Sequence, residues 1–377
     1  MGSIGNDPIA DKGTFIVPIF DGEPHSDPFT RPYGAPPKPK ASGSVTVPLV
    51  DFRNQVFNAA AGGDYRQDEA FMRSHGFTAV KHTSSIKDIE GFRDGETMKN
   101  VYYGEIEDLV KRVTGCKDVF INSSTCRGGA PPTNLDETRA FKHGMLTKDQ
   151  QAEVDMKKTF HRPGPPLQPI RMPHCDSTAL GGRQTVRSMN EEVTQLAEKA
   201  GILAAEEDIS GRASLQADRK GDRQAFEEQY NGNAVGKLGP RYAAFSIWRP
   251  MKTVTRDPLA MTPWSHASNR ADFVVEPYDN RVPGYKGDWK KEFAMLKIRP
   301  EAAEDKSEKD LKFFYISNME PDEVLFVKLF DTAGLGSNAS EEVGCLHGSP
   351  DLGDVAYGES RESVEVRLKK QQKVDSE

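Results

Sequence analysis

Hydrophobic and polar residues alternate with period two along much of the second half of the chain. This alternation predicts short strands at 242–248, 273–276, 293–298, 313–317, 324–330, 343–347 and 363–368. Gly, Pro, Asn and Asp residues separate these segments, as is usual for turns. Many short strands with long connections are typical of a sandwich or barrel of the jelly-roll kind. We therefore predict a mainly β fold with flanking helices and a jelly-roll core at about 170–368.

The first half of the chain mixes strands, helices and loops. Strands are predicted at 45–49, 77–80 and 119–121. Apolar residues spaced three to four apart predict helices over 101–113 and 189–207, the second behind a capping box formed by Ser188 and Glu191. We expect a single domain over 45–368, preceded by a Pro- and Gly-rich extension (1–44) that forms a tail or an extended wrapping segment. A surface insertion at about 207–240 and a charged tail at 369–377 complete the expected organisation.

The composition narrows the classes of function. Lys and Arg number 50 and Asp and Glu number 57, which gives a net charge of −7. An acidic chain is a poor match for a nucleic-acid groove or an anionic membrane face. No run approaches the ~18 apolar residues of a membrane helix, and the sparse cysteines do not make a disulfide scaffold. We expect a cytoplasmic protein that binds neither nucleic acid nor membrane, and its oligomeric state stays open.

The first candidate for chemistry is the pair His174 and Asp176. On a strand, residues two apart point to the same face, so this imidazole and carboxylate can reach one point, whereas Cys175 points to the other face. A second imidazole would complete a metal site with positions open for a co-substrate and O₂. The spacing alone is a weak signal, because His25 and Asp27 repeat it where no strand is expected. The alternative for His174 and Asp176 is a loop histidine beside a turn aspartate.

A second imidazole is offered by His347, which lies in a predicted strand. Arg361 follows 14 residues later, after a turn and at the entry to the next strand. A guanidinium at that place can bind a small dicarboxylate through two parallel hydrogen bonds, and Ser363 on the same face can donate another. The alternative is an edge histidine and a surface arginine with no common site.

Four further residues are candidates for a substrate pocket. Trp248, Arg249 and Lys252 lie beside Pro250 at a predicted strand end, where the mouth of an active site is expected. Cys345 shares a face with His347 by period two. The alternative is a packed tryptophan with solvated cations.

Longer motifs add a more specific signal. They run through 248–260, beginning Trp-Arg-Pro-Met-Lys, through 315–332 and through 361–365, with further matches at 76–84 and 139–144. In combination they resemble the fungal hydroxylase/desaturase family, which includes the gibberellin desaturase, over about residues 76–367. The sequence departs from that family in Gly348-Ser-Pro after the distal histidine and in its charged tail.

The resemblance implies a double-stranded β-helix that holds non-haem Fe(II) and uses 2-oxoglutarate and O₂. It implies that His174, Asp176 and His347 are the iron ligands and that Arg361 anchors 2-oxoglutarate, with Arg367 the less favoured alternative. The implied reaction is the hydroxylation, desaturation or oxidative ring closure of a free small molecule in fungal specialised metabolism. Two other classes stay open: a zinc hydrolase or lyase that uses the same three ligands, and a binding protein of the same fold.

Overall fold

Strands are the main regular element of the described chain. The computed structural model describes residues 9–31, 36–57, 63–130, 154–155, 157–186, 190–202, 241–282, 284–285, 287, 289–305, 307–335 and 339–371. Its strands are β1 (Lys12–Pro18), β2 (Ser42–Asp51), β3 (Phe77–Lys81), β4 (Asp118–Arg127), β5 (Phe160–His161), β6 (His174–Cys175), β7 (Tyr242–Pro250), β8 (Ala260–Pro263), β9 (Phe273–Val282), β10 (Trp289–Ile298), β11 (Phe313–Tyr315), β12 (Glu323–Asp331), β13 (Cys345–Gly348) and β14 (Ser363–Gln371). Each predicted strand corresponds to one of these, whereas β1, β5, β6 and β8 are not among the predicted strands.

The helices are short and lie mainly in the first half. They are α1 (Arg66–His75), α2 (Ile89–Arg93), α3 (Gly95–Thr97), α4 (Tyr103–Thr114), α5 (Ala179–Thr185), α6 (Glu191–Lys199), α7 (Trp264–Ser268) and α8 (Pro300–Glu304). The predicted helices correspond to α4 and α6. Asn190 caps α6 by accepting a hydrogen bond from the Val193 amide at 2.7 Å, whereas Ser188 of the predicted capping box lies outside the described residues. No helix within the described residues is both long and apolar enough to cross a membrane.

The strands form two sheets with a shared core. The larger sheet has the order β1-β2-β11-β8-β13-β6-β10-β9, and the smaller one β3-β12-β7-β14-β4-β5. Trp248 of β7 and Leu325 of β12 pack with Met261 of β8 and Phe314 of β11, so both sheets contribute to one hydrophobic core. This architecture confirms the predicted mainly β fold with a jelly-roll core.

Alternation along β14 separates a polar inner face from an apolar outer face. Val364, Val366 and Leu368 pack with residues of α4 in a second core on the outside of the smaller sheet. The residues between them, Glu365 and Arg367, therefore project to the inner side, towards the larger sheet. One strand thus supports the packing of helices and supplies charged groups to the interior.

The two ends of the described chain are more ordered than a tail. β1 pairs antiparallel with β2 from Lys12↔Pro48 to Pro18↔Ser42, so the N-terminal extension is of the wrapping kind. At the other end β14 continues to Gln371, and Lys369 and Lys370 are buried, which corrects the expectation of a charged tail from residue 369. Their aliphatic stems allow burial beside Tyr242 and Phe245. The insertion predicted at about 207–240 lies outside the described residues.

Candidate metal centre

Strand pairing brings three residues singled out by the sequence to one point. β6 and β13 pair antiparallel with His174 directly opposite His347, so the two imidazoles share one face of the larger sheet. Asp176 follows two residues after His174 and directs its carboxylate to the same place. Ligand atoms of the three residues all lie within 4.8 Å of one another, and all three residues are buried.

The hydrogen bonds leave suitable atoms available to a metal ion. Nδ1 of His174 donates to the carbonyl of Met172 at 2.9 Å. Its Nε2 therefore carries the lone pair and lies 3.6 Å from Oδ1 of Asp176. Nδ1 of His347 is buried and has no hydrogen-bond partner within the described residues. A buried polar atom without a partner is costly, and a cation at the centre of the three side chains would satisfy this site.

The protonation states also suit a metal ion. Burial, reinforced by the neighbouring His174, lowers the pKa of His347 to about 4. Burial likewise lowers the pKa of His174. Burial alone would raise the pKa of Asp176, but Arg367 and the two imidazoles outweigh it and hold this pKa well below its usual range. Two neutral imidazoles and one carboxylate fit Fe(II) in a facial arrangement, and the same donor types occur at catalytic zinc sites.

Alternating charges continue from Asp176 along β14. Nη2 of Arg367 lies 2.8 Å from Oδ2 of Asp176. Nε of Arg367 donates to Oε1 of Glu365 at 2.8 Å, and Nε of Arg127 donates to Oε2 of Glu365 at 3.1 Å. Neither Glu365 nor Arg127 is among the site residues predicted from the sequence. The signal that could have found Glu365 is the polar position between Val364 and Val366, which places a charge on the inner face.

A cavity beside the two imidazoles contains Arg361. His174, His347, Trp248 and Arg361 all line it. Nη1 of Arg361 donates to the carbonyl of Asp257 at 2.8 Å, and its guanidinium carbon lies 5.4 Å from the centre of the Trp248 ring. Its Nε is buried without a hydrogen-bond partner in the described part of the chain. We call this space the Arg361 cavity.

The charged lining of the Arg361 cavity consists of Arg127, Arg361 and Glu365, and Glu365 is paired with Arg127. Burial, together with nearby Arg127, lowers the pKa of Arg361 to about 9, whereas Asp257 and Glu365 act in the opposite direction. The carboxylate of Asp257 accepts a hydrogen bond from Nη2 of Arg171 at 2.6 Å, and among the described residues the hydrogen-bond acceptor of Arg361 is the Asp257 carbonyl. Ser363 is fully buried, and its hydroxyl has no hydrogen-bond partner among the described residues. A small dicarboxylate would supply the missing negative charge.

The other predicted pocket residues lie elsewhere, with the exception of Trp248. Arg249 follows Trp248 on β7 and therefore points to the opposite face, where its guanidinium donates to the Tyr102 hydroxyl at 2.8 Å and to the carbonyl of His82 at 2.9 Å. Lys252 binds Glu359 at 2.7 Å and is not part of the cavity lining. Cys345 is fully buried in the inter-sheet core. None of these three residues lines the Arg361 cavity.

The second match of the His-x-Asp spacing has other partners. Nε2 of His25 lies 2.8 Å from Oε2 of Glu276 on β9. Oδ1 of Asp27 accepts a hydrogen bond from the amide of Phe29 at 3.0 Å, which caps a short 3₁₀ turn. Neither side chain belongs to the cluster around His174.

A second cavity opens on the side of Asp176, and we call it the Asp176 cavity. Its charged lining consists of Asp176, Lys291, Arg367 and Lys369. Its apolar lining comes from both sheets: Phe160, Ala244, Phe245, Val282, Trp289, Phe293, Leu329 and Leu368. The sequence analysis named none of these as pocket residues, because they meet only when the two sheets face each other.

Comparison with known proteins identifies the family to which the chain belongs. The model described as "Oxidoreductase/YMDC permease-like domain" matches residues 53–203 and 217–368. The chain belongs to this family. The two ranges matched by the oxidoreductase/YMDC permease-like family contain His174, Asp176, His347 and Arg361.

Fungal enzymes are among the relatives. The gibberellin cluster GA4 desaturase of Gibberella fujikuroi is 28% identical over 312 residues, which cover 79% of this chain and 81% of that protein. The alpha-ketoglutarate-dependent dioxygenase phiK of a fungal species is 24% identical over 322 residues, 84% of either chain. The solved structure of the iron and alpha-ketoglutarate-dependent endoperoxidase NvfI has the same fold, with a TM-score of 0.53, 20% identity and coverage of 96% and 97%. The resemblance to the fungal hydroxylase/desaturases is confirmed.

Proposed function

We propose that this protein is a non-haem Fe(II)/2-oxoglutarate-dependent oxygenase with one catalytic domain over about 45–368. The enzyme class and the cofactors predicted from the sequence are supported by a relative named as an alpha-ketoglutarate-dependent dioxygenase and by a structural neighbour named as an iron and alpha-ketoglutarate-dependent endoperoxidase. The observation that carries the assignment to particular residues is the buried cluster of His174, Asp176 and His347 beside the Arg361 cavity.

In this proposal His174, Asp176 and His347 hold the iron. Iron with bound 2-oxoglutarate and O₂ supplies the oxidant that removes hydrogen from an unactivated carbon. The chain supplies the positioning: the Met172 carbonyl fixes the orientation of His174, and Arg367 keeps Asp176 ionised and directed towards the metal. The Met172 carbonyl and Arg367 thus orient the metal-binding atoms of His174 and Asp176 before a metal ion binds.

Arg361 anchors the distal carboxylate of 2-oxoglutarate. Its guanidinium is held by the Asp257 carbonyl and the Trp248 ring, and it has unused donor capacity at Nε. The Ser363 hydroxyl would add a further donor. Arg367 is a weaker candidate, because its charge is shared between Asp176 and Glu365.

The substrate is a small molecule of fungal specialised metabolism, and the product is an alcohol, an alkene or a new ring. A cytoplasmic location of the protein agrees with its cysteines, which are all unpaired and buried: Cys116, Cys126, Cys175 and Cys345. Free thiols are the usual state in a reducing compartment.

Anaerobic loading with Fe(II) and 2-oxoglutarate, followed by O₂ and mass spectrometry against a panel of fungal metabolites, tests this function. We expect substrate-dependent succinate and a product that has gained one oxygen atom or lost two hydrogen atoms. Asp176→Ala should lose iron and succinate formation while staying folded, and His25→Ala should behave like the natural protein. Turnover that is indifferent to O₂ and 2-oxoglutarate, with zinc as the active metal, would instead support a hydrolase or lyase. Absence of turnover despite bound iron and 2-oxoglutarate would favour a binding protein.

A further inference from the structure

The Asp176 cavity has a lysine on the same face as the metal ligands. On β10, Met295 pairs with His174 and Ala294 pairs with Cys175. This register places Phe293 level with Asp176, and Lys291 two residues beyond it, about 7 Å further along the strand. Alternate residues of a strand share a face, so Lys291 points to the same side as His174 and Asp176.

The ammonium group of Lys291 forms no ion-pair contact with a described carboxylate, although Asp176 lines the same cavity and attracts its charge. The Lys291 side chain lines the cavity and is only partly exposed. Its ammonium group makes no hydrogen bond or ion pair in the part of the chain that the structure describes, and it lies 4.6 Å from the centre of the Phe293 ring. The charge of Arg367, by contrast, is matched by Asp176 and Glu365.

The cavity as a whole carries excess positive charge. Among the described residues that line it, Asp176 is the acidic one, whereas Lys291, Lys369 and Arg367 are basic. In the proposed enzyme the charge of Asp176 is further offset by the iron. The neutral lining is mainly apolar, with Asn122, Ser123, Ser177 and Thr185 as its polar residues. A ligand must therefore bury hydrocarbon and compensate a cation at the same time.

We propose that the Asp176 cavity binds an apolar substrate with one carboxylate, and that Lys291 binds this carboxylate. The inference rests on the proposed function, since it assigns the substrate of that same metal site. Burial lowers the pKa of Lys291 to about 8, and Asp176 acts in the opposite direction, so the amine is still largely protonated at neutral pH. A neutral ligand would leave this charge uncompensated in an apolar wall, whereas a carboxylate forms a charge-assisted hydrogen bond with it.

Binding calorimetry with matched acid and amide probes tests the proposal. The protein is loaded anaerobically with Fe(II) and saturating 2-oxoglutarate, so that the iron and Arg361 are already occupied. The probes are 1-adamantanecarboxylate against 1-adamantanecarboxamide, and decanoate against decanamide. The acid should bind at least about tenfold more tightly than its amide. Lys291→Met should remove this preference and Lys291→Arg should retain it. Lys290→Met, which changes the exposed neighbour on the opposite face of β10, should leave it unchanged.

Three results would overturn the proposal: equal affinities for acid and amide, failure of both acids to bind, or a preference that survives in Lys291→Met. The visible charge-transfer absorbance of the Fe(II)–2-oxoglutarate complex, recorded on the same samples, shows that each variant is folded and loaded. It also separates the two claims. A normal absorbance without acid preference refutes the role of Lys291 alone, whereas loss of the absorbance in the natural protein refutes the proposed function.

Discussion

Replacing Arg367 by methionine should destabilise the metal-free protein far more than the metal-loaded protein. Arg367 lies between two carboxylates, at 2.8 Å from an oxygen of Asp176 and 2.8 Å from an oxygen of Glu365, and 20% of its side chain is exposed. Methionine keeps most of the length and removes the charge. Glu365 retains Arg127 as a partner. The loss therefore falls mainly on Asp176, which is buried and lies close to the two imidazoles.

The expected magnitude follows from the burial of this pair. Removing one partner of a buried ion pair costs ~3–5 kcal/mol, because the other charge stays behind without compensation. Partial exposure of Arg367 and the remaining Arg127 favour the lower end, so we expect the free energy of unfolding of the metal-free variant to fall by about 3 kcal/mol. A bound dication takes over the compensation of Asp176 and should recover most of this loss.

Urea unfolding with and without Mn(II), a redox-stable substitute for Fe(II), measures both quantities. Arg93→Met is the matched control, since Arg93 pairs with Glu90 and Glu362 and 36% of its side chain is exposed. An exposed pair of this kind contributes ~0–1 kcal/mol, with no dependence on the metal. The reasoning is refuted if Arg367→Met unfolds like the natural protein, or if its loss is the same with and without Mn(II).

The remaining predictions concern the Arg361 cavity and the loss of stability at low pH. Arg361→Lys should raise the 2-oxoglutarate concentration needed for half-maximal succinate formation at least about tenfold, because lysine cannot form the two parallel hydrogen bonds. The metal content should not change. If Arg367→Lys has this effect instead, the anchor is Arg367. Asp257 has a φ of 54°, which alanine adopts only with strain, and its carboxylate binds Arg171. Asp257→Ala should therefore lower stability and weaken 2-oxoglutarate binding. Asp257→Asn should retain the backbone conformation. Burial opposes the ionisation of Glu365, but Arg367 and Arg127 outweigh it and lower its pKa from 4.5 to about 2. The stabilisation by ionised Glu365 is therefore complete above about pH 4.5 and is lost as the pH falls towards 2. Glu365→Gln should remove this part of the pH dependence when the free energy of unfolding is measured as a function of pH.

Local patterns account for the parts of the fold and site that the sequence predicts well. The period-two alternation is a property of a single strand, so β7, β12 and β14 can be identified without knowing their neighbours. The pair His174 and Asp176 is local in the same sense. The third candidate ligand, His347, can be named from its predicted strand, but its pairing with His174 joins segments far apart in the chain and is not contained in a local pattern.

Whether a strand residue lines a cavity depends on the face of the strand to which its side chain points. Trp248 and Arg249 are neighbours on β7, so at most one of them can line an inner cavity, and alternation alone does not say which. The structure places Trp248 inside and Arg249 against Tyr102. Lys291 depends on the register between β6 and β10, which no local pattern contains. β1 and β8 escape prediction for a similar reason, since each is completed by pairing with a distant strand.

The central claim is that His174, Asp176 and His347 hold iron beside an arginine that binds 2-oxoglutarate. The most direct measurement is an anaerobic titration of 2-oxoglutarate into the Fe(II)-loaded protein, followed by its charge-transfer absorbance, for the natural chain, His347→Ala and Arg361→Lys. We expect an equimolar complex in the natural chain, none in His347→Ala, and formation only at higher 2-oxoglutarate concentration in Arg361→Lys. Iron and 2-oxoglutarate binding by His347→Ala as tight as in the natural chain would contradict the account.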